Sequence, residues 1–154
     1  MSTPDIEVHH QLEQLILRYF AAIDDKTMSA ELFAELFARD GSIQRPRGPA
    51  VVGPQAIFES QNESFARFRV TQHILTGLLF SRTDDGWKVR GNLQAMHIWA
   101  PESIDPTALE TYFLAHSVLE ARFVQEDGAW KIAGTGIRVV WRTGSGMMSM
   151  LQTK

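Results

Sequence analysis

The stretch RVTQHILTGLLFSRTDDGWKVRGNLQAMHIWA, residues 69–100, decides the fold of this protein. It predicts two long strands, 69–82 and 87–100, because apolar and polar residues alternate on either side of the turn sequence Asp84-Asp85-Gly86. Strands of this length exceed the usual five or six residues. Long strands tend to coil, so we expect a sheet with a concave face.

The same pattern continues toward the C-terminus, where strands are predicted at 110–125 and 129–142 around the turn Asp127-Gly128. The segment before residue 69 instead has helical spacing of apolar residues. It predicts a first helix over 3–24 and a second helix that starts near Ser29 and ends at Asp40-Gly41. A short strand at 42–44 and a loop at 45–49 follow, and Gly53-Pro54 opens a third helix.

Three helices followed by a run of antiparallel strands predict an α+β fold, with the helices packed on one face of a curved sheet. A helix that crosses the concave face would enclose an apolar pocket for a small organic molecule. We expect a single domain over residues 1–143, which agrees with a length of 154 residues. Residues 144–154 are rich in Gly, Ser and Met and are expected either to be mobile or to pack on a neighbouring subunit.

The composition excludes several classes of function. Net charge is −3 with acidic and basic residues well mixed, so we expect no nucleic-acid partner. The absence of cysteine excludes disulfides, thiol catalysis and thiolate metal sites. No secretion signal and no membrane-spanning run are visible in the sequence, so we expect a cytoplasmic protein without membrane contact.

Strand alternation places two histidines and one serine on apolar faces. His73 shares its face with Leu75 and Leu79, whereas His116 belongs to a more polar face with Tyr112, Glu120 and Arg122. His97 shares a face with Leu93 and Trp99, and Ser117 shares one with Phe113 and Leu119. A histidine on an apolar face is either a core residue bonded to backbone or a functional group, and both interpretations stay open here.

Asp24 and Asp25 end the first helix, and one of them could orient a histidine at the mouth of the pocket. A carboxylate that holds an imidazole fixes its tautomer and raises its basicity, as a general base requires. The sequence does not choose between the two aspartates. A metal site from one aspartate and two histidines is disfavoured because no short-range metal motif is present.

Four segments carry a resemblance to the SnoaL-like and scytalone dehydratase-like branch of the nuclear transport factor 2-like superfamily. They are YFAAIDDK at 19–26, LFARDG at 36–41, TQHIL at 71–75 and DGAWKIAG at 127–134. The resemblance implies a cone of one bent sheet and three helices around an apolar pocket. It also implies that Asp24 pairs with His73, and that His97 and Ser117 face the same pocket.

The chain departs from the dehydratase pattern in the groups that polarise the substrate carbonyl. Ile23 and about Arg45 stand where that family has two tyrosines, and Leu119 replaces an asparagine. The resemblance therefore implies that the basic half of the site is kept and that the electrophilic half is changed. The reaction stays open between dehydration, isomerisation and cyclisation.

We therefore expect a cofactor-independent lyase or isomerase that acts by acid–base chemistry on a hydrophobic, aromatic or polyketide-like carbonyl compound. His73 held by Asp24 is the expected base, His97 the expected donor, and Arg45 a candidate oxyanion partner if it turns inward. Substrate contacts are expected from Ser117 and from a pocket wall formed by Tyr19, Phe58, Leu93, Trp99, Phe113 and Leu119. The alternatives are a hydrophobic-ligand-binding protein and a structural small subunit like those of aromatic-ring dioxygenases. A homo-oligomer is expected, with a trimer favoured over a dimer.

Overall fold

Three helices precede a sheet of six strands. The computed structural model of the protein describes residues 3–45, 48–100 and 112–144. In chain order the elements are α1 (Thr3–Asp24), α2 (Ala30–Leu36), β1 (Phe37–Gln44), β2 (Val51–Val52), α3 (Pro54–Phe65), β3 (Phe68–Arg82), β4 (Gly86–Trp99), β5 (Tyr112–Glu126) and β6 (Ala129–Gly144). None of the helices in these ranges is both long and apolar enough to cross a membrane.

The strands form one curved open sheet in the order β2-β1-β6-β5-β4-β3. All neighbouring strands are antiparallel except β1 and β6, which run parallel. The main core lies between the helices and one face of the sheet, where α1 residues such as Leu12 and Ile16 pack with Val89, Phe123 and Ile132. The predicted α+β architecture is confirmed.

The turn chemistry of the two hairpins is as the sequence indicates. Asp127 and Gly128 both have positive φ, 51° and 80°, between β5 and β6. This conformation is the one that an Asp-Gly pair adopts with little strain in a two-residue hairpin. Gly86 begins β4, and its carbonyl accepts a hydrogen bond from the Thr83 amide across the first hairpin. The strand predicted at 110–125 is observed from Tyr112, and its first two residues, 110 and 111, lie outside the described ranges. The predicted tail after residue 144 also lies outside them.

The second helix is shorter than predicted. Ser29 caps it, as the side chain accepts a hydrogen bond from the Leu32 amide at 3.2 Å, but the helix ends at Leu36. Phe37 is already extended, with φ −100° and ψ 147°, and pairs with Ile132 of β6. The prediction that Asp40-Gly41 ends the helix is therefore wrong. A short continuous apolar run fits a buried strand as well as a helix, and here pairing with β6 decides the outcome.

The face assigned to Leu79 is also wrong. The pairing of β3 with β4 shifts register between Thr76 and Leu79, and Gly77 in between has φ 62°. This bulge reverses the alternation, so Leu78 and Phe80 pack on the core and Leu79 is 65% exposed. The faces predicted for β4 and β5 agree with the structure, because the residues predicted to share a face with His97 and Ser117 are buried or half-buried together.

The first helix ends in a Schellman motif. The Thr27 amide donates to the Ala22 carbonyl at 2.9 Å, and the Lys26 amide donates to the Ile23 carbonyl at 3.3 Å. Lys26 occupies the left-handed position of this motif, with φ 56°. The motif turns the chain immediately after Asp24 and thereby leaves this side chain at the rim of the sheet.

Candidate functional site

Asp24 at the end of α1 is hydrogen-bonded to two residues of β3. Its Oδ1 lies 2.7 Å from His73 Nδ1 and accepts a hydrogen bond from the Thr71 hydroxyl at 2.8 Å. Its Oδ2 accepts a hydrogen bond from the His73 amide at 2.7 Å. Both carboxylate oxygens are thus fixed, and the carboxylate in turn fixes the orientation of the imidazole. The structure selects Asp24 over Asp25, which is exposed.

The electrostatics favour an ionised Asp24. Burial raises the pKa of this carboxyl, but the hydrogen bonds and charge of His73 and the hydroxyl of Thr71 outweigh burial, so the pKa lies below its usual value of 3.8. An ionised carboxylate only accepts hydrogen bonds. Nδ1 of His73 is therefore the donor, and in the neutral ring Nε2 carries the free lone pair that a general base needs.

Aromatic rings surround the His73 imidazole, whose side chain is only 4% exposed. The ring stacks on Phe20 at a centroid distance of 4.9 Å, and Phe65 meets it edge-on at 5.8 Å. His97 approaches edge-on at 5.5 Å. The two predicted histidines therefore lie side by side in an apolar environment.

His97 is held in a neutral state. Its ring stacks on Phe113 at 4.3 Å and lies 4.6 Å from Phe68, and the residue is 5% exposed. Burial, and to a lesser degree the nearby His73, lower the pKa of His97 from 6.5 to about 3. Its Nδ1 is buried and forms no hydrogen bond within the described ranges, although backbone groups of Phe113 and Ala95 interact with the ring and offset part of the lowering of the pKa. A buried polar atom without a partner is unusual in a folded protein and is a candidate contact for a substrate oxygen.

A cavity of about 100 Å³ lies beside the Asp24–His73 pair. Phe65 and Thr71 contribute to its wall, and these two residues contact His73 and Asp24 respectively. The other lining residues are Ile23, Lys26, Met28, Asn62 and Ala66. This volume is below the roughly 300 Å³ of a typical ligand pocket, so a drug-sized molecule would have to displace part of the wall.

Ser117 and the six predicted wall residues are all buried or half-buried. Trp99 and Phe113 pack with Phe68 at the His97 end of the core, and Ser117 is buried at 6% exposure. The other four predicted wall residues belong to the main core and its edge, and their role as substrate contacts stays a prediction: Tyr19, Phe58, Leu93 and Leu119.

Arg45 does not turn inward. It follows the last residue of β1, is exposed, and its guanidinium donates to the Ser60 hydroxyl of α3. The condition under which Arg45 was a candidate oxyanion partner is therefore not met in this structure, because the long side chain at the end of β1 reaches α3 and solvent rather than the core.

Three residues around the pair were not singled out from the sequence. Thr71 could have been found, because strand alternation places it on the same face as His73. Phe65 and Lys26 carry no such signal, since α3 and the end of α1 meet the pair only through the tertiary structure. Within the ranges 3–45, 48–100 and 112–144, no group of three or more His, Asp or Glu side chains is arranged to hold a metal ion.

Comparison with solved structures supports the fold. A provisionally assigned scytalone dehydratase from Novosphingobium aromaticivorans superposes with a TM-score of 0.78 at 20% identity, over 95% of this chain and 93% of that one. The hexachlorocyclohexane dehydrochlorinase LinA-type3 from Novosphingobium barchaimii matches with a TM-score of 0.75 at 15% identity, over 90% of each chain. A provisionally assigned aromatic ring hydroxylase from Novosphingobium aromaticivorans gives 0.76 at 16% identity, over 94% and 97%. At these identities the likeness establishes the fold alone.

No curated protein matches the sequence. The profile of the SnoaL-like domain, in contrast, matches residues 4–135, a range that includes both Asp24 and His73. The chain therefore belongs to the SnoaL-like domain family, within the nuclear transport factor 2-like superfamily.

Proposed function

We propose that the protein is a cofactor-independent lyase or isomerase in which His73 is the general base. The observation that carries this proposal is the 2.7 Å contact between Asp24 Oδ1 and His73 Nδ1. It leaves Nε2 as the free lone pair on a ring that is almost wholly removed from water. A base positioned in this way contributes about 10² to 10⁴-fold to a proton transfer.

The proposed reaction begins at a C–H bond next to a carbonyl group. His73 Nε2 takes the proton, the C–H electron pair moves into the adjacent bond, and either an enolate forms or a leaving group on the next carbon departs. Asp24 stabilises the imidazolium that results, since the distance between them is that of a charge-assisted hydrogen bond. One structural neighbour is named as a dehydrochlorinase, so proton removal coupled to elimination is a chemistry that this fold can accommodate.

His97 is proposed as the hydrogen-bond donor to the departing oxygen or to the enolate. Because its pKa is about 3, it acts as a neutral imidazole that donates one N–H and not as an imidazolium. A neutral donor is a weaker acid but remains polar in an environment where Phe68 and Phe113 exclude water. The unpartnered Nδ1 supports this role, because a bound substrate would satisfy it.

Hydrogen exchange tests the base whichever product the complete reaction forms. Hydroxylated aromatic ketones would be incubated with the protein in D₂O. The loss of the signal of the proton next to the ketone carbonyl would be monitored by NMR. We expect His73→Ala to lower the exchange rate by about 10² to 10⁴-fold and Asp24→Asn to lower it as well. His116→Gln is the matched control, because His116 lies on the other face of the sheet, stacked on Trp141, and should exchange like the wild type.

An exchange rate that His73→Ala leaves unchanged would remove the histidine from the mechanism. A second candidate function is a ligand-binding protein, favoured by the buried Ile23 and Leu119 at the positions where the dehydratase has polar groups. That function predicts ligand binding by the wild type with no exchange of any ketone in the series.

A further inference from the structure

Lys26 has a backbone conformation that lysine does not prefer. With φ 56° it occupies the left-handed position of the Schellman motif at the end of α1, where glycine is the usual residue. A side chain at such a position strains the backbone. A strained residue next to a site is grounds for asking what its side chain does there.

The Lys26 side chain lies along the cavity beside the Asp24–His73 pair. Its Nζ donates to the Phe68 carbonyl at the start of β3, at 3.0 Å. An ammonium group has three donors, so two remain for a ligand. The cavity wall combines this cation with the polar side chain of Asn62 and with the apolar side chains of Ile23, Met28 and Phe65.

Lys26 and Asp24 do not form an ion pair with each other. The two oxygens of Asp24 are directed to Thr71 and His73, with which they form hydrogen bonds of 2.7 to 2.8 Å. The Phe65 ring contacts both His73 and His97 and also lines the cavity, so the cavity adjoins the histidines through this ring. A ligand in the cavity would therefore present one end to the Lys26 ammonium and its apolar body to Phe65.

We propose that this cavity binds an anionic oxygen group of the substrate, a carboxylate or phenolate, and that Lys26 is its partner. The substrate class is then an aromatic carbonyl compound that carries such a group. The identity of this ligand as the substrate rests on the proposed function, whereas the binding of the anion does not. Lys26 also provides a cation near the base in a chain that lacks the tyrosines of the dehydratase pattern.

Benzoate and benzamide form a matched pair of probes, because they share size and ring and differ in charge. Binding would be measured by ¹H–¹⁵N NMR titration, with the amides of Ala66 and Thr71 as reporters. We expect benzoate to bind the wild type more tightly than benzamide does. In Lys26→Met the affinity for benzoate should fall about tenfold, the effect of one charge-assisted hydrogen bond, while that for benzamide stays constant.

Three variants separate binding from structure. Lys26→Arg keeps the charge and should keep the preference for benzoate. Lys26→Gly relieves the backbone strain, so it should lose benzoate binding at a melting temperature no lower than that of the wild type. His116→Gln should bind benzoate as the wild type does, because His116 stacks on Trp141 and does not line this cavity.

The proposal is overturned if benzoate does not bind the wild type, if Lys26→Met keeps its affinity, or if benzamide loses as much affinity as benzoate. A lower melting temperature of Lys26→Gly with unchanged benzoate binding would also overturn it, since Lys26 would then be a structural link to Phe68. These results are independent of the exchange experiment. The exchange experiment can therefore refute His73 as the base while the benzoate titration supports the anion site, or the reverse.

Discussion

At the scale of single residues, Thr71 determines how Asp24 presents its carboxylate to His73. The hydroxyl donates to the same Oδ1 atom that contacts the imidazole, at 2.8 Å, and Thr71 is 7% exposed. It acts on the imidazole through Asp24, so we regard it as a positioning residue. Its hydrogen bond is one of the reasons that the pKa of Asp24 lies below its usual value.

We expect Thr71→Val to raise the pKa of Asp24 and to destabilise the protein by about 1 to 2 kcal/mol, as one hydrogen bond to a charged group is lost. The pKa would be measured by ¹³C NMR of the carboxyl group and the stability by urea unfolding. Thr76→Val, at an exposed position of the same strand, is the control and should change neither. An Asp24 pKa that stays constant in Thr71→Val would contradict this role.

The depressed pKa of Asp24 also gives a stability that depends on pH. A carboxyl whose folded pKa is below its unfolded value of 3.8 stabilises the fold above pH 3.8, and this contribution is lost as pH falls through the folded pKa. We expect Asp24→Asn to be less stable than the wild type at pH 7 and to show a smaller further loss below pH 3.8. Urea unfolding of both proteins at a series of pH values measures the stability at pH 7 and its loss in acid. If Asp24→Asn lost as much stability below pH 3.8 as the wild type, Asp24 would not be the group responsible.

His97 should make the protein sensitive to mild acid. Its folded pKa of about 3 lies below the unfolded value of 6.5, so between these values the unfolded chain binds the extra proton. The free energy of unfolding should therefore decrease by about 1.6 kcal/mol from pH 6.5 to pH 5. In His97→Gln this decrease should vanish, and a slope equal to that of the wild type would show that another group is responsible.

At the scale of elements, the bulge in β3 decides which side chains reach the core. Gly77 has φ 62°, and after it Leu78 and Phe80 point inward instead of Leu79. Among the described residues, a Cβ atom at Gly77 would meet Asn92 Nδ2 at 3.4 Å and no other heavy atom within 4 Å, so the side chain itself has room. The requirement for glycine is therefore a requirement of the backbone.

We expect Gly77→Ala to destabilise the protein by about 1 to 2 kcal/mol, the usual strain of a left-handed residue that is not glycine. Chemical denaturation would measure the difference in the free energy of unfolding between this variant and the wild type. Gly136→Ala in β6 is the control, because its backbone is not left-handed and its nearest neighbour, Gln44 Cβ, is 3.8 Å away. Equal stabilities of the two variants would mean that the bulge can move along the strand.

At the scale of the whole molecule, the outer face of the sheet carries several exposed apolar side chains among its polar ones. Val70, Ile74, Val140 and Trp141 are 48%, 45%, 59% and 49% exposed. A hollow of about 290 Å³ is lined by Ile74, His116 and Val140, and also by the predicted substrate contacts Leu93 and Ser117. Exposed apolar surface of this kind is typical of a protein interface.

We propose that copies of the chain assemble through this face, and we expect a trimer. Size-exclusion chromatography with light scattering measures the assembly, and Trp141→Glu should shift it to the monomer because a charge would be buried in the interface. Ile6→Glu is the control, since Ile6 is 58% exposed on α1 and should leave the assembly intact. A monomeric wild type would exclude this assembly.

The sequence by itself predicted what local chemistry dictates. Alternation on β4 and β5 placed His97 and Ser117 on the buried face, and the Asp-Gly turn defined its hairpin, because period and turn geometry depend on neighbouring residues alone. The resemblance added the pairing of Asp24 with His73. The end of the second helix near Phe37 and the face of Leu79 were predicted wrongly, because strand pairing determines both.

Only the tertiary structure decided which groups meet. Asp24 rather than Asp25 reaches His73, 49 residues along the chain, at the end of a helix whose Schellman motif turns the backbone at Lys26. Lys26 lines the cavity and Arg45 faces solvent for the same kind of reason: their directions follow from where α1, β1 and α3 end relative to the sheet. Periodicity assigns a residue to a face, whereas contacts between distant elements depend on how those elements pack.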